Sequence, residues 1–300
     1  MSLKPNTFKA SDTTGWKKHL EEEGFAVIRK VLPKKDKKEI FNTFKKEWLK
    51  VTGEHFSWGK KKTWIKQNCP INFSLGMAVY FGLGQSDFMW SLRTHPKIYS
   101  LFQSLYETDE LVASMDAFSV FLSPDQKSKS WLHLDRNPNN ELDSYQGAYN
   151  FLPVGKKDAG FVIVPRSHKE YKCEVSHNRD SIIVDQDEFS PKAKKLIIPE
   201  NCFVIWNSNL IHANQHMTHK KVKSLNRLTA YITYFPKSLR NKEAEDLRIQ
   251  SYYQGRANCH WAIRYNYRGE PSAYQSNKFN WIKVTLDENG NIPESRRKFI

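Results

Sequence analysis

His133 and Asp135 stand two residues apart in the run Trp131-Leu132-His133-Leu134-Asp135-Arg136. His212 follows 77 residues after the carboxylate, and Arg227 comes 15 residues later. Two imidazoles and one carboxylate can hold one face of an octahedral divalent metal and leave the opposite face open, the facial arrangement that suits Fe(II) and oxygen chemistry. An arginine beside such a centre is a natural anchor for an acidic co-substrate, because its planar fork meets a carboxylate through two parallel hydrogen bonds.

The HxD pair alone carries little. With 10 His and 14 Asp in 300 residues, chance supplies roughly half an occurrence, and a lone histidine is more often a core or hydrogen-bonding residue. Position adds the weight. On a strand, residues i and i+2 project to one face, so His133 and Asp135 would enter one cavity together. His212 follows the apolar run Cys202–Trp206 through a short polar turn, at a strand end where such folds build sites. Arg227 shares a strand face with Thr229 and Tyr231. If that face is inward, a buried cation there needs an anionic partner; if it faces solvent, it needs none.

The elements that must position these residues are legible from the apolar pattern. Ser11-Asp12-Thr13 ahead of Trp16 and Leu20 predicts a capped helix that Gly24 ends, followed by a buried strand at Phe25–Ile28. Pro33 opens a second helix, with Ile40, Phe41, Phe44, Trp48 and Leu49 inward and a row of lysines outward. Residues 52–84 read as loop. Within them, Lys60–Trp64 combines charge with an aromatic, a candidate nucleic-acid contact beside the plainer reading of a solvated loop. Pro96 opens a helix with Ile98, Leu101, Phe102 and Leu105 inward. From 111 to 235, short runs rich in Val, Ile, Phe and Tyr predict about eight strands: 111–122, 130–135, 145–152, 161–164, 181–184, 195–198, 202–206 and 225–235. Ile182-Ile183-Val184 and Phe203–Trp206 read as strands buried between two sheets. A last helix is predicted over Leu239–Tyr253, and 255–300 shows no period. The expected fold is mainly β with flanking helices in a single domain: helices and loops over 1–110, a sandwich or barrel core over 111–236, and a C-terminal helix and extension over 237–300.

Hydrophobic residues make up 39% and aromatics 13% of the chain, as in a folded globular protein. No apolar run approaches a membrane span, and the N-terminal residues lack the apolar stretch of a signal peptide, so a soluble intracellular protein is expected. Cys69, Cys173, Cys202 and Cys259 form no CxxC pair and read as reduced packing residues. The net charge of +15 divides as +9 over residues 1–66, +1 over 67–236 and +5 over 237–300. The segment with the ligand set is thus nearly neutral and its flanks are basic, which suits either an acidic substrate or nucleic acid, or simply a solvated surface. Nothing in the sequence speaks to oligomeric state.

Over residues 15–235 the chain resembles the phytanoyl-CoA dioxygenase-like family of Fe(II)/2-oxoglutarate-dependent oxygenases. Glu22–Leu32 is similar to the family's opening helix–glycine–strand, and His133-Leu134-Asp135 to its HxD. Ala159–His168 resembles its NGPLxxxPGSH segment, with Ala159 in place of Asn and Arg166 in place of the second Gly. His212 and Arg227 match the distal iron ligand and the 2-oxoglutarate arginine, with His219–Lys223 as a small insertion between them. The resemblance implies a double-stranded β-helix, a cupin-like jelly roll. It implies Fe(II) on His133, Asp135 and His212, and 2-oxoglutarate on Arg227 with help from Thr229 and Asn214. It also places Tyr149 beside the co-substrate. The reaction implied is oxidation of a substrate as 2-oxoglutarate and O₂ become succinate and CO₂. Related halogenases lack the carboxylate, so Asp135 favours hydroxylation.

Other residues have plainer expectations. His168 reads as structural, and His216 and His219 as exposed. Arg136 and Arg166 read equally as surface residues or as contacts for an acidic substrate. The run Tyr252–Trp261 reads as a helix end at Gly255 with ordinary packing, or as a wall of the substrate pocket. A rival reading of the whole chain is a basic nucleic-acid- or polyanion-binding protein on a jelly-roll scaffold whose metal site is decayed or structural.

Overall fold

The structure, a computed structural model, describes residues 1–127, 131–135, 144–171, 181–222 and 224–300. Arg136 and Cys173 lie outside these residues, as does part of the predicted strand at 130–135. The chain begins with β1 (Ser2–Leu3), α1 (Thr13–Glu23), β2 (Phe25–Arg29), α2 (Lys34–Thr52), β3 (Met77–Ala78), α3 (Asp87–Arg93) and α4 (Pro96–Tyr106). Strands then dominate: β4 (Leu111–Ala113), β5 (Phe118–Phe121), β6 (His133–Leu134), β7 (Tyr145–Asn150) and β8 (Gly160–Ile163). After α5 (Ser167–Glu170) come β9 (Ile182–Ile183), α6 (Gln186–Phe189), β10 (Lys194–Leu196), β11 (Cys202–Asn207), β12 (His212–Gln215), β13 (Arg227–Tyr231) and β14 (Tyr234–Pro236). Helix α7 (Lys242–Tyr253) and the single turns α8 (Ala273–Ser276) and α9 (Glu294–Arg297) follow. Among the described residues, no helix is long and apolar enough to cross a membrane.

Two sheets face each other. One runs β1-β10-β8-β12-β6-β9 and the other β2-β11-β7-β13-β5-β3. Neighbours pair antiparallel except β1 with β10. Alternation along β2 and β11 sends Phe25, Val27, Val204 and Trp206 into the space between the sheets, where they meet Phe161 and Ile163 of β8. The opposite parity, with Ile28, Phe203, Ile205, Leu228 and Ala230, packs outward against Phe44 and Trp48 of α2. This is the expected architecture: mainly β, a jelly-roll core, helices on its flanks.

Local chemistry explains the flanking elements. Asp12 caps α1 by accepting from the Gly15 amide at 3.1 Å. Gly24 ends the helix in the left-handed conformation, φ 86°. On α2 the inward row is Ile40, Phe44, Trp48 and Val51. Leu49, expected inward, is 39% exposed, because it lies one step round the helix from that row. Glu47 is buried in its stead and caps α3, accepting from the amides of Asp87 at 2.8 Å and Phe88 at 3.0 Å. Burial raises the Glu47 pKa to about 7, against the opposing pull of those two amides.

One other expectation fails, and one alternative loses its support. Ile182–Ile183 is an edge strand, not one buried between sheets, and Ile183 is 62% exposed. Trp64 is only 6% exposed and donates from Nε1 to the Ser57 carbonyl at 2.9 Å. The Lys60–Trp64 run therefore offers no free aromatic for base stacking.

Candidate metal centre

β6 and β12 pair with His133 opposite His212, which brings two histidines distant in sequence to adjacent strands. Asp135 lies just past the end of β6, and its amide donates to the Ser208 carbonyl at 3.2 Å. Its two carboxylate oxygens meet the two imidazoles separately: Oδ1 is 3.3 Å from His133 Nε2, and Oδ2 is 3.2 Å from His212 Nε2. One ligand atom from each residue lies within 4.8 Å of the other two.

The histidines are oriented from behind. His133 Nδ1 lies 2.9 Å from the Trp131 carbonyl, and His212 Nδ1 lies 2.9 Å from the Leu210 carbonyl. Each Nδ1–H donates to a carbonyl, which fixes the tautomer and leaves Nε2 bare toward Asp135, as metal-ligating histidines require. Trp131 also stacks on His133 with ring centroids 4.3 Å apart and planes 10° apart. Electrostatics within the cluster are strongly coupled. Burial of His133 disfavours its charge, but the Asp135 carboxylate outweighs this and raises its pKa. Burial and the charge on His133 together lower that of His212. Burial works to raise the pKa of Asp135, yet the surrounding histidines hold it well below the ordinary carboxylate value. A divalent cation would sit where the carboxylate and the two bare Nε2 atoms converge.

Arg227 is 2% exposed. Its Nε donates to Thr229 Oγ1 at 2.9 Å, and Nη1 donates to Asn214 Oδ1 at 2.7 Å. Thr229 passes its own proton to Asn150 Oδ1 at 2.9 Å, and Asn214 Nδ2 donates to the Tyr231 hydroxyl at 2.8 Å. Burial lowers the Arg227 pKa, opposed only by Tyr231. Among the described residues no carboxylate pairs with it. Two other fully buried arginines differ: Arg93 and Arg248 donate to backbone carbonyls, for instance to Gly84 at 2.8 Å and Ile300 at 3.2 Å. Arg227 alone of these three is held by neutral side chains that an incoming carboxylate can replace or join.

The predicted residues therefore divide. His133, Asp135 and His212 meet, and Arg227, Thr229 and Asn214 form one hydrogen-bonded group whose Asn214 joins them on the wall of a shared cavity of about 520 Å³. Tyr149 does not join them. It pairs with Ala230 in the β7–β13 register, points to the outer face of the sheet, and donates its hydroxyl to Asn201 Oδ1 at 2.8 Å. Asn150, opposite Thr229, holds the inner position instead. His168 sits outside the centre, 2.9 Å from the Glu21 carbonyl through Nε2. His219 meets Asp158 at 2.8 Å. Arg166 pairs with Glu23 at 2.7 Å, and it occupies a left-handed conformation, φ 66°, where the resembled pattern has glycine.

The cavity also has a wall that no motif announced. Asp116, Cys259, His260 and Arg268 line it together with the ligand set. The dense run at Tyr252–Trp261 thus does contribute a wall, while Gly255 turns at φ 66° just past α7. The only sequence signal was the concentration of polar and aromatic residues there.

No family model matches the chain. It is 26% identical over 272 residues to Ava biosynthesis cluster protein O of Aspergillus versicolor, a match covering 83% of this chain and 86% of that protein. Among solved structures, GlcNAc Inducible Gene 2 from Candida albicans superposes with a TM-score of 0.58 at 14% identity, over 94% of this chain and 75% of that one. The epimerase SnoN, solved in complex with Fe3+, alpha ketoglutarate and nogalamycin RO, gives 0.51 at 15% identity over 75% of this chain and 84% of that one. The non-heme alpha ketoglutarate dependent carbocyclase SnoK gives 0.50 at 16% identity, over 77% and 87%. SnoN was solved with iron and alpha ketoglutarate, which is 2-oxoglutarate, SnoK depends on alpha ketoglutarate, and all three neighbours share this fold.

Proposed function

We propose that this protein is an Fe(II)/2-oxoglutarate-dependent oxygenase of the phytanoyl-CoA dioxygenase-like type that hydroxylates a small molecule. The observation that carries the reading is the conjunction of two features on one cavity. Two imidazole nitrogens turn their bare lone pairs toward one carboxylate, and a buried arginine without a carboxylate partner among the described residues reaches the same cavity wall through Asn214.

The donor set fits the metal. Two neutral imidazoles and one carboxylate of low pKa are the ligand types that hold Fe(II) facially, and they leave positions for a chelating 2-oxo acid and for O₂. Bound there, iron with 2-oxoglutarate supplies the oxidising chemistry, releasing succinate and CO₂. The chain supplies position and environment. Trp131 and Leu210 hold the imidazoles; Arg227 and Thr229 receive the far carboxylate of 2-oxoglutarate; Phe161 and Trp206 keep the site apolar. Asp135 fills the carboxylate position, which favours hydroxylation over halide transfer.

The test is spectroscopic. Fe(II) and 2-oxoglutarate, mixed anaerobically with the protein, are expected to give a weak visible charge-transfer band that is lost in His133→Ala and Asp135→Ala. Succinate release on admitting O₂ is expected to follow. A wild-type protein that binds Fe(II) and shows no band with 2-oxoglutarate would sink the reading.

A further inference from the structure

His260 lies on the cavity wall with Asp135 and Arg268. It is 8% exposed, and its Nε2 is buried without a hydrogen-bond partner among the described residues. An unpaired buried imidazole nitrogen costs free energy, so it is retained where something else meets it. The charges around it are already balanced. Arg268 Nη2 lies 3.1 Å from Asp116 Oδ1, and its Nε donates to the Asn258 carbonyl at 3.2 Å. The arginine of this wall is therefore already paired. On the proposed reading, the divalent metal and Arg227 together offset Asp135 and the two carboxylates of 2-oxoglutarate. No net charge remains for a substrate to neutralise. Leu75, Met77, Trp131, Phe161 and Trp206 give the wall an apolar and aromatic part, and its other polar groups, such as Gln146 and Asn266, carry no charge.

We infer that the substrate is an uncharged molecule with a ring-sized apolar body and a hydroxyl or carbonyl oxygen that hydrogen-bonds His260 Nε2. His260 is then the residue that orients the substrate against the metal centre. This deepens the proposed function and replaces the acidic substrate expected from the basic flanks, whose charge lies outside this cavity. Cavity size agrees: about 520 Å³ is within the range of pockets that enclose small organic ligands.

The experiment compares three fused-ring probes, naphthalene, 2-naphthol and 2-naphthoate, by quenching of tryptophan fluorescence in the protein loaded anaerobically with Fe(II) and 2-oxoglutarate. 2-Naphthol is expected to bind about tenfold tighter than naphthalene, the worth of one hydrogen bond to a buried partner, and tighter than 2-naphthoate. His260→Phe is expected to erase the advantage of naphthol over naphthalene, and His260→Gln, which keeps a polar atom near Nε2, to retain it. Both variants are expected to keep the Fe(II)/2-oxoglutarate band. A preference for 2-naphthoate, a naphthol advantage that survives His260→Phe, or failure to bind any probe overturns the inference. Loss of the wild-type band with the probe preference intact instead strikes only the proposed function.

Discussion

Arg227 on β13 and Asn214 on β12 are joined by a 2.7 Å hydrogen bond that crosses from one sheet of the sandwich to the other. A buried guanidinium thus leans on a neutral amide, and the amide in turn stands on the cavity wall. On the proposed function, Arg227 is the anchor for the far carboxylate of 2-oxoglutarate. Replacing it should separate co-substrate binding from metal binding. Arg227→Met is expected to weaken 2-oxoglutarate by about 100-fold, the loss of a bidentate charge-assisted contact, and to leave Fe(II) affinity within a few-fold of wild type. Arg227→Lys recovers only part of this, since an ammonium offers no planar fork. Titration of the anaerobic charge-transfer band with 2-oxoglutarate reads both; equal loss of metal and co-substrate would contradict the assignment.

Asn214→Asp reverses the logic. It places a carboxylate against the buried cation and satisfies it internally. The metal-free variant is expected to melt above wild type, because an uncompensated buried charge gains a partner. Its affinity for 2-oxoglutarate is expected to fall about tenfold or more, because the new carboxylate competes for Arg227. Calorimetry with and without 2-oxoglutarate measures both effects, and an unchanged melting temperature with unchanged affinity counts against Arg227 as the anchor.

The sequence carried the local half of this centre. His133 with Asp135, and Arg227 with Thr229 and Tyr231, are each i, i+2 sets whose shared face follows from strand geometry. What it withheld depends on register and on long-range packing. Tyr149 differs from Asn150 by one residue, and only the pairing of β7 with β13 decides which side chain faces inward. β12 went unread because His-Ala-Asn-Gln is polar. His260 and Arg268 come from a segment without period, and they reach the cavity because that segment packs back over it, not because of any local pattern. Ile183 misled for the converse reason: an apolar run reads the same at a sheet edge as in its centre.

Glu47 makes a prediction about pH. Burial raises its pKa from 4.5 to about 7, so the folded state favours the protonated acid more than the unfolded chain does. Its stabilising contribution is complete below about pH 4.5 and is lost as pH rises through about 7, a change of about 3 kcal/mol. Glu47→Gln keeps an acceptor for the α3 amides and cannot ionise. The melting temperature of wild type relative to this variant is expected to fall between pH 5 and pH 8. A difference that stays constant across that range would show that Glu47 ionises without cost.

Gly24 tests the join between α1 and the metal-binding half of the fold. Its φ of 86° suits glycine, and a Cβ there would come within 2.6 Å of both His168 Nδ1 and Leu210 Cδ1. Leu210 supplies the carbonyl that orients His212, so displacing it disturbs a ligand as well as the packing. Gly24→Ala is expected to cost about 2–3 kcal/mol, backbone strain of about 1 kcal/mol plus overpacking. Gly269 is the control, with φ 82° and nothing within 4 Å of its added Cβ; Gly269→Ala is expected to cost only the strain, about 1 kcal/mol. Urea denaturation of the two variants compares them directly, and Fe(II) affinity is expected to fall in Gly24→Ala alone. Equal losses of stability with metal binding intact in both would mean that the α1 junction does not support His212.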